Sequence, residues 1–172
     1  MRNAVAGACA KLQLLLKHQL SGTTEMDWDY PTPFTRQLTV SGADIDGMGH
    51  VNNACYVVWC EDCAWKHSEA LGLSVEDYQR LDRGVSIHRA NYEYLLPSFE
   101  NDSLTIATWL TDCDCKLRLE RSFQIINTAT EQTVLRGSWQ LICTALSTGK
   151  AVRLPQEFLN TYGAAVIPTP QN

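Results

Sequence analysis

Long apolar runs are missing from this sequence. No stretch approaches the roughly 18 apolar residues that a membrane-crossing helix needs, so no membrane span is expected. An excess of positive charge is missing too. Fourteen Lys and Arg stand against 19 Asp and Glu, a formal net charge of −5, which leaves no clustered basic face for a phosphate backbone and argues against nucleic acid as a partner. Glycine and proline are sparse, at 10 and 6 residues, which fits an ordinary globular protein and excludes global disorder. A disulfide framework is also lacking. The seven cysteines, at 9, 55, 60, 63, 113, 115 and 143, are odd in number and irregular in spacing, so free thiols in a reducing compartment, the cytoplasm, are expected.

What is present is a core-forming composition, 45% hydrophobic and 19% charged over 172 residues, the size of one compact domain. Residues 1–25 read as a helical leader, with Val5, Cys9, Leu12 and Leu20 at helical spacing before Ser21 and Gly22. Lys11, Lys17 and His18 interrupt it and no small-residue cleavage site follows, unlike a secretory signal. Residues 26–163 are expected to form the domain, and 164–172 a flexible tail.

After an acidic, proline-containing linker over 25–33, residues 35–41 alternate so that Leu38 and Val40 share a face, as in a half-buried strand. Glycines and aspartates punctuate 42–50, which reads as a structured loop. Residues 51–60 carry no charge, and Asp62, Lys66 and Glu69 then share one helical face. Together these predict one helix of about 19 residues, ~28 Å long, deeply buried at its start, capped by Asn52 or Asn53 and stopped at Gly72. A loop over 73–83 and four strands over 85–96, 104–111, 117–126 and 134–146 follow, rich in β-branched and aromatic residues. Leu117, Leu119, Phe123 and Ile125 lie opposite Lys116, Arg118, Glu120 and Gln124, one apolar face against one wet face. A short helix over 155–163 turns Phe158, Leu159 and Tyr162 inward. The order β-α-β-β-β-β predicts an α+β fold in which an antiparallel sheet wraps one long central helix. One sheet covers only part of an all-apolar helix start, so a homodimer or homotetramer is expected.

The chemistry concentrates in Asp44-Ile45-Asp46-Gly47-Met48-Gly49-His50-Val51-Asn52-Asn53, followed by Tyr56, Trp59 and Glu61. A calcium loop fails, because Met48 and Cys55 stand where a ligand oxygen and a bidentate Glu are required. Helix capping explains the asparagines but not two aspartates and a histidine within seven residues. A carboxylate just ahead of a helix N-terminus suits acyl transfer. The carboxylate attacks a carbonyl or activates water, and helix N–H groups carry the charge of the tetrahedral intermediate. A thioester, with its good leaving group, needs neither metal nor serine.

The pattern Asp44-x-Asp46-x-x-Gly49, with Tyr56, Trp59 and Glu61 downstream, resembles the hotdog-fold acyl-CoA thioesterases of the 4-hydroxybenzoyl-CoA thioesterase type. Tyr94-Leu95-Leu96-Pro97 and Asp102-Ser103-Leu104 are similar to that family's second strand and exit turn. His50-Val51-Asn52-Asn53 also looks like the loop of acyl carrier protein thioesterases, but Met48 replaces their asparagine and favours the acyl-CoA type. The resemblance implies a hotdog fold, active sites at a dimer interface, and hydrolysis of an acyl-CoA, or an acyl carrier protein thioester, without metal or cofactor. It implies that Asp46 is nucleophile or general base. His50 would orient substrate or water, and Gly49, Asn52, Asn53, Tyr56 and Glu61 would bind substrate, with backbone N–H groups around Asn52 and Asn53 as oxyanion site. A hydratase or dehydratase, or a non-catalytic acyl-thioester-binding protein, is the alternative on the same fold.

Other residues carry blander expectations. Asp44 reads as a turn residue. Cys60, Cys63 and His67 share a helical stripe with Tyr56, but buried free cysteines are commoner than a metal site, and none is expected. Lys116, Arg118, Arg121 and Arg136 are candidates for the phosphates of CoA. Trp59, Trp109 and Trp139 read as core.

Overall fold

The computed structural model describes residues 26–167. Five strands, β1 (Phe34–Thr39), β2 (Gly84–Tyr94), β3 (Ser103–Cys113), β4 (Arg118–Asn127) and β5 (Gln132–Thr144), form one sheet in the order β1-β3-β4-β5-β2. Every neighbouring pair is antiparallel. The helix α1 (Asn53–Ala70) packs on the concave face through Tyr56, Cys60, Cys63, Ala64 and Ser68. Those positions recur at three- and four-residue steps, so they make one stripe. Opposite them stand Leu104, Ile106 and Leu110 of β3, Leu119, Phe123 and Ile125 of β4, and Leu135, Trp139 and Leu141 of β5. This is the hotdog arrangement.

That stripe of α1 is buried, and its flanks, including Cys55, Trp59 and His67, are half-covered. The uncharged start is not buried all round, as its composition had suggested: Asn53 and Ala54 are exposed and Val58 is 61% exposed. A helix laid on a single sheet buries one side, whatever the chemistry of the other.

The expected loop over 73–83 contains a second helix, α2 (Val75–Leu81). Ser74 and Asp77 form a reciprocal capping box. The Asp77 carboxylate accepts from the Ser74 N–H at 3.0 Å, and the Ser74 hydroxyl accepts from the Asp77 N–H at 3.3 Å. Seven residues are too few to show a period, so cap and buried Tyr78 together define this helix. The C-terminal helix is also not one regular element. Three α-helical residues, α3 (Gln156–Phe158), pass into a π-type turn over Leu159–Gly163, with Phe158 and Tyr162 in the core. Beyond it Ile167 donates its N–H to Leu110 O at 3.0 Å, so residues 164–167 run against β3. The leader 1–25 and the remainder of the tail, 168–172, lie outside the described residues.

The segment read as a linker is packed on the convex face of the sheet. The side chain of Gln124, fully buried, accepts from the Asp29 N–H at 2.8 Å and donates to Asp27 O at 3.0 Å. The Trp109 indole donates to Pro31 O at 2.9 Å, with the rings of Trp28 and Tyr30 edge-on to it. Arg136 forks onto Asp29 at 2.7 and 2.8 Å. Gln124, expected on a wet face, is thus dry because this strap covers it and answers its polar atoms.

At the opposite edge β2 has one sheet neighbour, β5, and its ladder is interrupted between Ile87 and Arg89, where His88 is an extra residue. No helix among the described residues is long and apolar enough to cross a membrane.

Candidate active site

The loop between β1 and α1 is built by its own hydrogen bonds. Asp44 is the turn residue: its carboxylate accepts from the Ser41 N–H at 2.9 Å and the Ser41 hydroxyl at 2.8 Å, closing a short 3-10 turn over Gly42–Asp44. Ile45 and Val51 then pair as an isolated antiparallel bridge and pinch off residues 46–50 as a tight loop. Within it the Asp46 N–H donates to His50 O at 2.9 Å and the Gly49 N–H donates to Asp46 O at 3.0 Å. Gly49 has φ of +82°, a conformation that strains any side-chain-bearing residue, so its role is to turn the chain toward the helix.

Asp46 Oδ1 accepts from the Met48 N–H at 2.8 Å and lies 3.8 Å from His50 Nδ1. The Asp46 side chain is 28% exposed and that of His50 40%, so both reach solvent and any ligand lying over the loop. His50 forms part of the wall of a cleft of about 200 Å³ with Asn53, Tyr56, Tyr94 and residues 95–97. Asp46 stands behind His50 rather than on that wall.

The helix start separates the two asparagines. Asn52 is the N-cap. Its side chain accepts from the Ala54 N–H at 2.9 Å, and its own N–H donates to Asp44 O at 2.8 Å. The oxyanion site expected of both residues therefore loses the Asn52 N–H, already engaged within the loop. Asn53 is the first helical residue, and its N–H has no acceptor among the described residues, as the geometry of a helix N-terminus dictates. It opens on the cleft with the positive end of the helix dipole behind it.

Tyr56 is buried one turn further on, its ring edge-on to Trp59 and Tyr94 at centroid distances of 5.2 and 5.8 Å. Burial raises its phenol above the ordinary tyrosine pKa, so it stays protonated. The Tyr94 hydroxyl donates to Asn53 O at 3.3 Å, and the Val51 N–H donates to Ser98 O at 2.9 Å. These two bonds anchor the helix start to the strand β2 and the turn after it. Tyr94 to Pro97 are thus the cleft's second wall, a segment the sequence pattern marked only as part of a strand.

The structure brings together Asp46, Gly49, His50, Asn52, Asn53 and Tyr56. Glu61 is not with them. It lies two turns along α1 at a second, larger cavity. The basic candidates scatter as well. Arg136 is paired with Asp29, Lys116 is exposed in the β3–β4 turn and Arg118 at the start of β4, and Arg121 is buried at 3% exposure. Arg121 shares parity with Leu119 and Phe123, so its side chain points to the helix and cannot meet CoA phosphates at the surface. Cys60 and Cys63 are buried thiols whose pKa values burial pushes up, that of Cys63 to about 12. No cluster of three or more His, Cys, Asp or Glu able to hold a metal occurs among the described residues.

Comparison with known proteins narrows what such a cleft does. A family model described as the thioesterase-like superfamily matches residues 40–161. No curated protein matches the sequence. Among solved structures, the probable thioesterase YbaW from Escherichia coli superposes with a TM-score of 0.65 at 26% identity, over 78% of this chain and 99% of that one. The 1,4-dihydroxy-2-naphthoyl-CoA thioesterase from Synechocystis superposes with a TM-score of 0.68 at 22% identity, over 77% and 96%. A Staphylococcus aureus protein solved in complex with CoA gives 0.72 at 18%, over 85% and 93%. At these last two identities the likeness is one of fold.

Proposed function

The chain belongs to the thioesterase-like superfamily and is a thioester hydrolase, and from that premise we propose that it cleaves acyl-CoA thioesters in the manner of the 4-hydroxybenzoyl-CoA type, with Asp46 as the catalytic carboxylate. The observation that carries this reading is the pairing of Asp46, reaching solvent beside His50, with the unengaged Asn53 N–H at the start of α1. The thioester oxygen accepts from that N–H and the carbonyl carbon is polarised. Asp46 either adds to the carbon itself or takes a proton from a water that does so. In the first case it expels the CoA thiolate, which takes a proton from solvent, and leaves a mixed anhydride that water then cleaves to the free acid and the Asp46 carboxylate. In the second, Asp46 passes the water's proton to the departing CoA sulfur. His50 holds the water or the thioester against Asp46, and Gly49 and Asn52 hold the loop and the helix start in place. Tyr56 lines the cleft. The CoA-bound relative supports CoA as the carrier.

The unpaired outer edge of β2 and the exposed Val58 face of α1 support a homodimer or homotetramer whose second copy completes the cleft. The free cysteines fit action in a reducing compartment, the cytoplasm.

The test is thiol release from short, medium, long and aromatic acyl-CoAs by wild type and Asp46→Asn. Wild type should release CoA from at least one member, and the variant should lose about 100-fold or more in kcat with an unchanged circular dichroism spectrum. A folded variant that turns over normally would remove Asp46 from the mechanism.

A further inference from the structure

The larger cavity, of about 250 Å³, lies between α1, α2 and the concave face of the sheet, away from the cleft. Leu119, Trp139 and Leu141 form its sheet side, and Trp65 and Ile87, both exposed, form its rim. One wall group does not suit an apolar pocket. Arg121, 3% exposed, lines it. Its Nη1 donates to His67 Nδ1 at 3.0 Å and to Thr108 Oγ1 at 3.2 Å. An arginine has five N–H donors and no acceptor, so Nδ1 of His67 carries no proton. Burial and the neighbouring guanidinium push the His67 pKa down to about 4, and the imidazole is neutral.

No carboxylate among the described residues pairs with Arg121. Glu61 lines the same cavity but is exposed at its mouth and makes no ion pair with it. The hydroxyls beside it are engaged with one another. Tyr78 and Tyr162 share a hydrogen bond, Tyr162 donates to Ser68 Oγ at 2.9 Å, and Ser68 donates to Ala64 O at 3.1 Å. The remaining guanidinium N–H groups have no protein partner among the described residues, yet they are not sealed away from the cavity surface. A dry, unpaired cation is costly, and an anion entering the cavity removes that cost. One charge among apolar walls matches a monoanion with a hydrocarbon body better than a phosphate dianion.

We propose that this cavity binds the carboxylate of an aliphatic acid against the Arg121 guanidinium, with the hydrocarbon chain running along Trp139 and Leu141 to the rim at Trp65 and Ile87. Two sources supply that chemistry: the acid that hydrolysis releases, or the distal carboxylate of a dicarboxylic acyl thioester, which requires that the rim at Trp65 and Ile87 meet the cleft of a second copy. Only this choice of source rests on the thioesterase reading.

Calorimetric titration of the whole chain with decanoate and with 1-decanol tests the site without turnover. Decanoate should bind at least about tenfold more tightly, and Arg121→Met should erase the difference. An apolar replacement of a buried charge is commonly tolerated by the fold. Equal binding of acid and alcohol by wild type overturns the proposal even if the variant does not fold. So does a preference that survives in a folded Arg121→Met. The source follows from kcat/KM for decanedioyl-CoA against decanoyl-CoA. A dicarboxylic preference lost in Arg121→Met assigns the substrate, and equal values with inhibition by decanoate assign the released acid. Tight decanoate binding with no thiol release from any acyl-CoA would defeat the hydrolase reading alone.

Discussion

His67 sits on α1 with its ring stacked on Phe34 at 4.9 Å and its Nδ1 facing Arg121. Its pKa, lowered from 6.5 to about 4 by burial and by the guanidinium, ties stability to acidity. Unfolded, His67 takes up a proton as pH falls through about 6.5; folded, it does so only near 4. Between those values the unfolded state binds the extra proton, so stability rises with pH and is lost on acidification. Urea unfolding of wild type should show a lower midpoint at about pH 5 than at about pH 7, and His67→Gln should reduce that difference. An equal drop in both proteins would place the dependence on other groups. The same neighbourhood shows how far single residues could be read from sequence. Arg121 is expected among the surface cations that meet CoA phosphates, because a long cation is normally solvated; only packing shows that this one shares the helix-facing side with Leu119 and Phe123. The closeness of Asp46 and His50 was legible because a tight loop keeps sequence neighbours together in space. Asn52 and Asn53 could not be told apart until the N–H of one was found engaged with Asp44.

Elements with a full period were legible, and those without one were not. The 18 residues of α1 and the long strands β2 to β5 emerge within a few residues of their expected ends. The seven residues of α2 and the strap 26–33 do not, because neither repeats a pattern long enough to stand out. Local chemistry stands in for periodicity in α2, so its stability should hinge on the cap. Ser74→Ala should lower stability by about 1 kcal/mol, read as a fall in the thermal midpoint. No change would show that Tyr78 packing alone holds the helix. The strap has the complementary logic. Its polar backbone is answered by Gln124, and its aromatic residues by Trp109, both of which belong to strands far along the chain.

On the scale of the whole molecule the surfaces are unequal. The convex face of the sheet carries its strap, while the free edge of β2 has no strand beside it among the described residues and the outer side of α1 meets the described chain only at points such as the Arg36–Asp62 pair. Val58 is exposed there, and Ile87 and Tyr94 stand exposed on β2. If a second copy covers these groups, sedimentation should give a mass of at least two chains, and Val58→Asp should shift it toward one chain without unfolding the protein. A monomeric wild type would leave that apolar surface without the proposed occupant.

The free edge has one irregularity that bears on which chain can join it. His88 is an extra residue in the β2 ladder, so the strand twists locally and the side chains beyond it fall out of step with those before it. A straight strand from an unrelated protein cannot follow such an edge along its length. A twist of this kind makes the edge a poorer template for indiscriminate strand addition than a flat row of N–H and C=O groups would be.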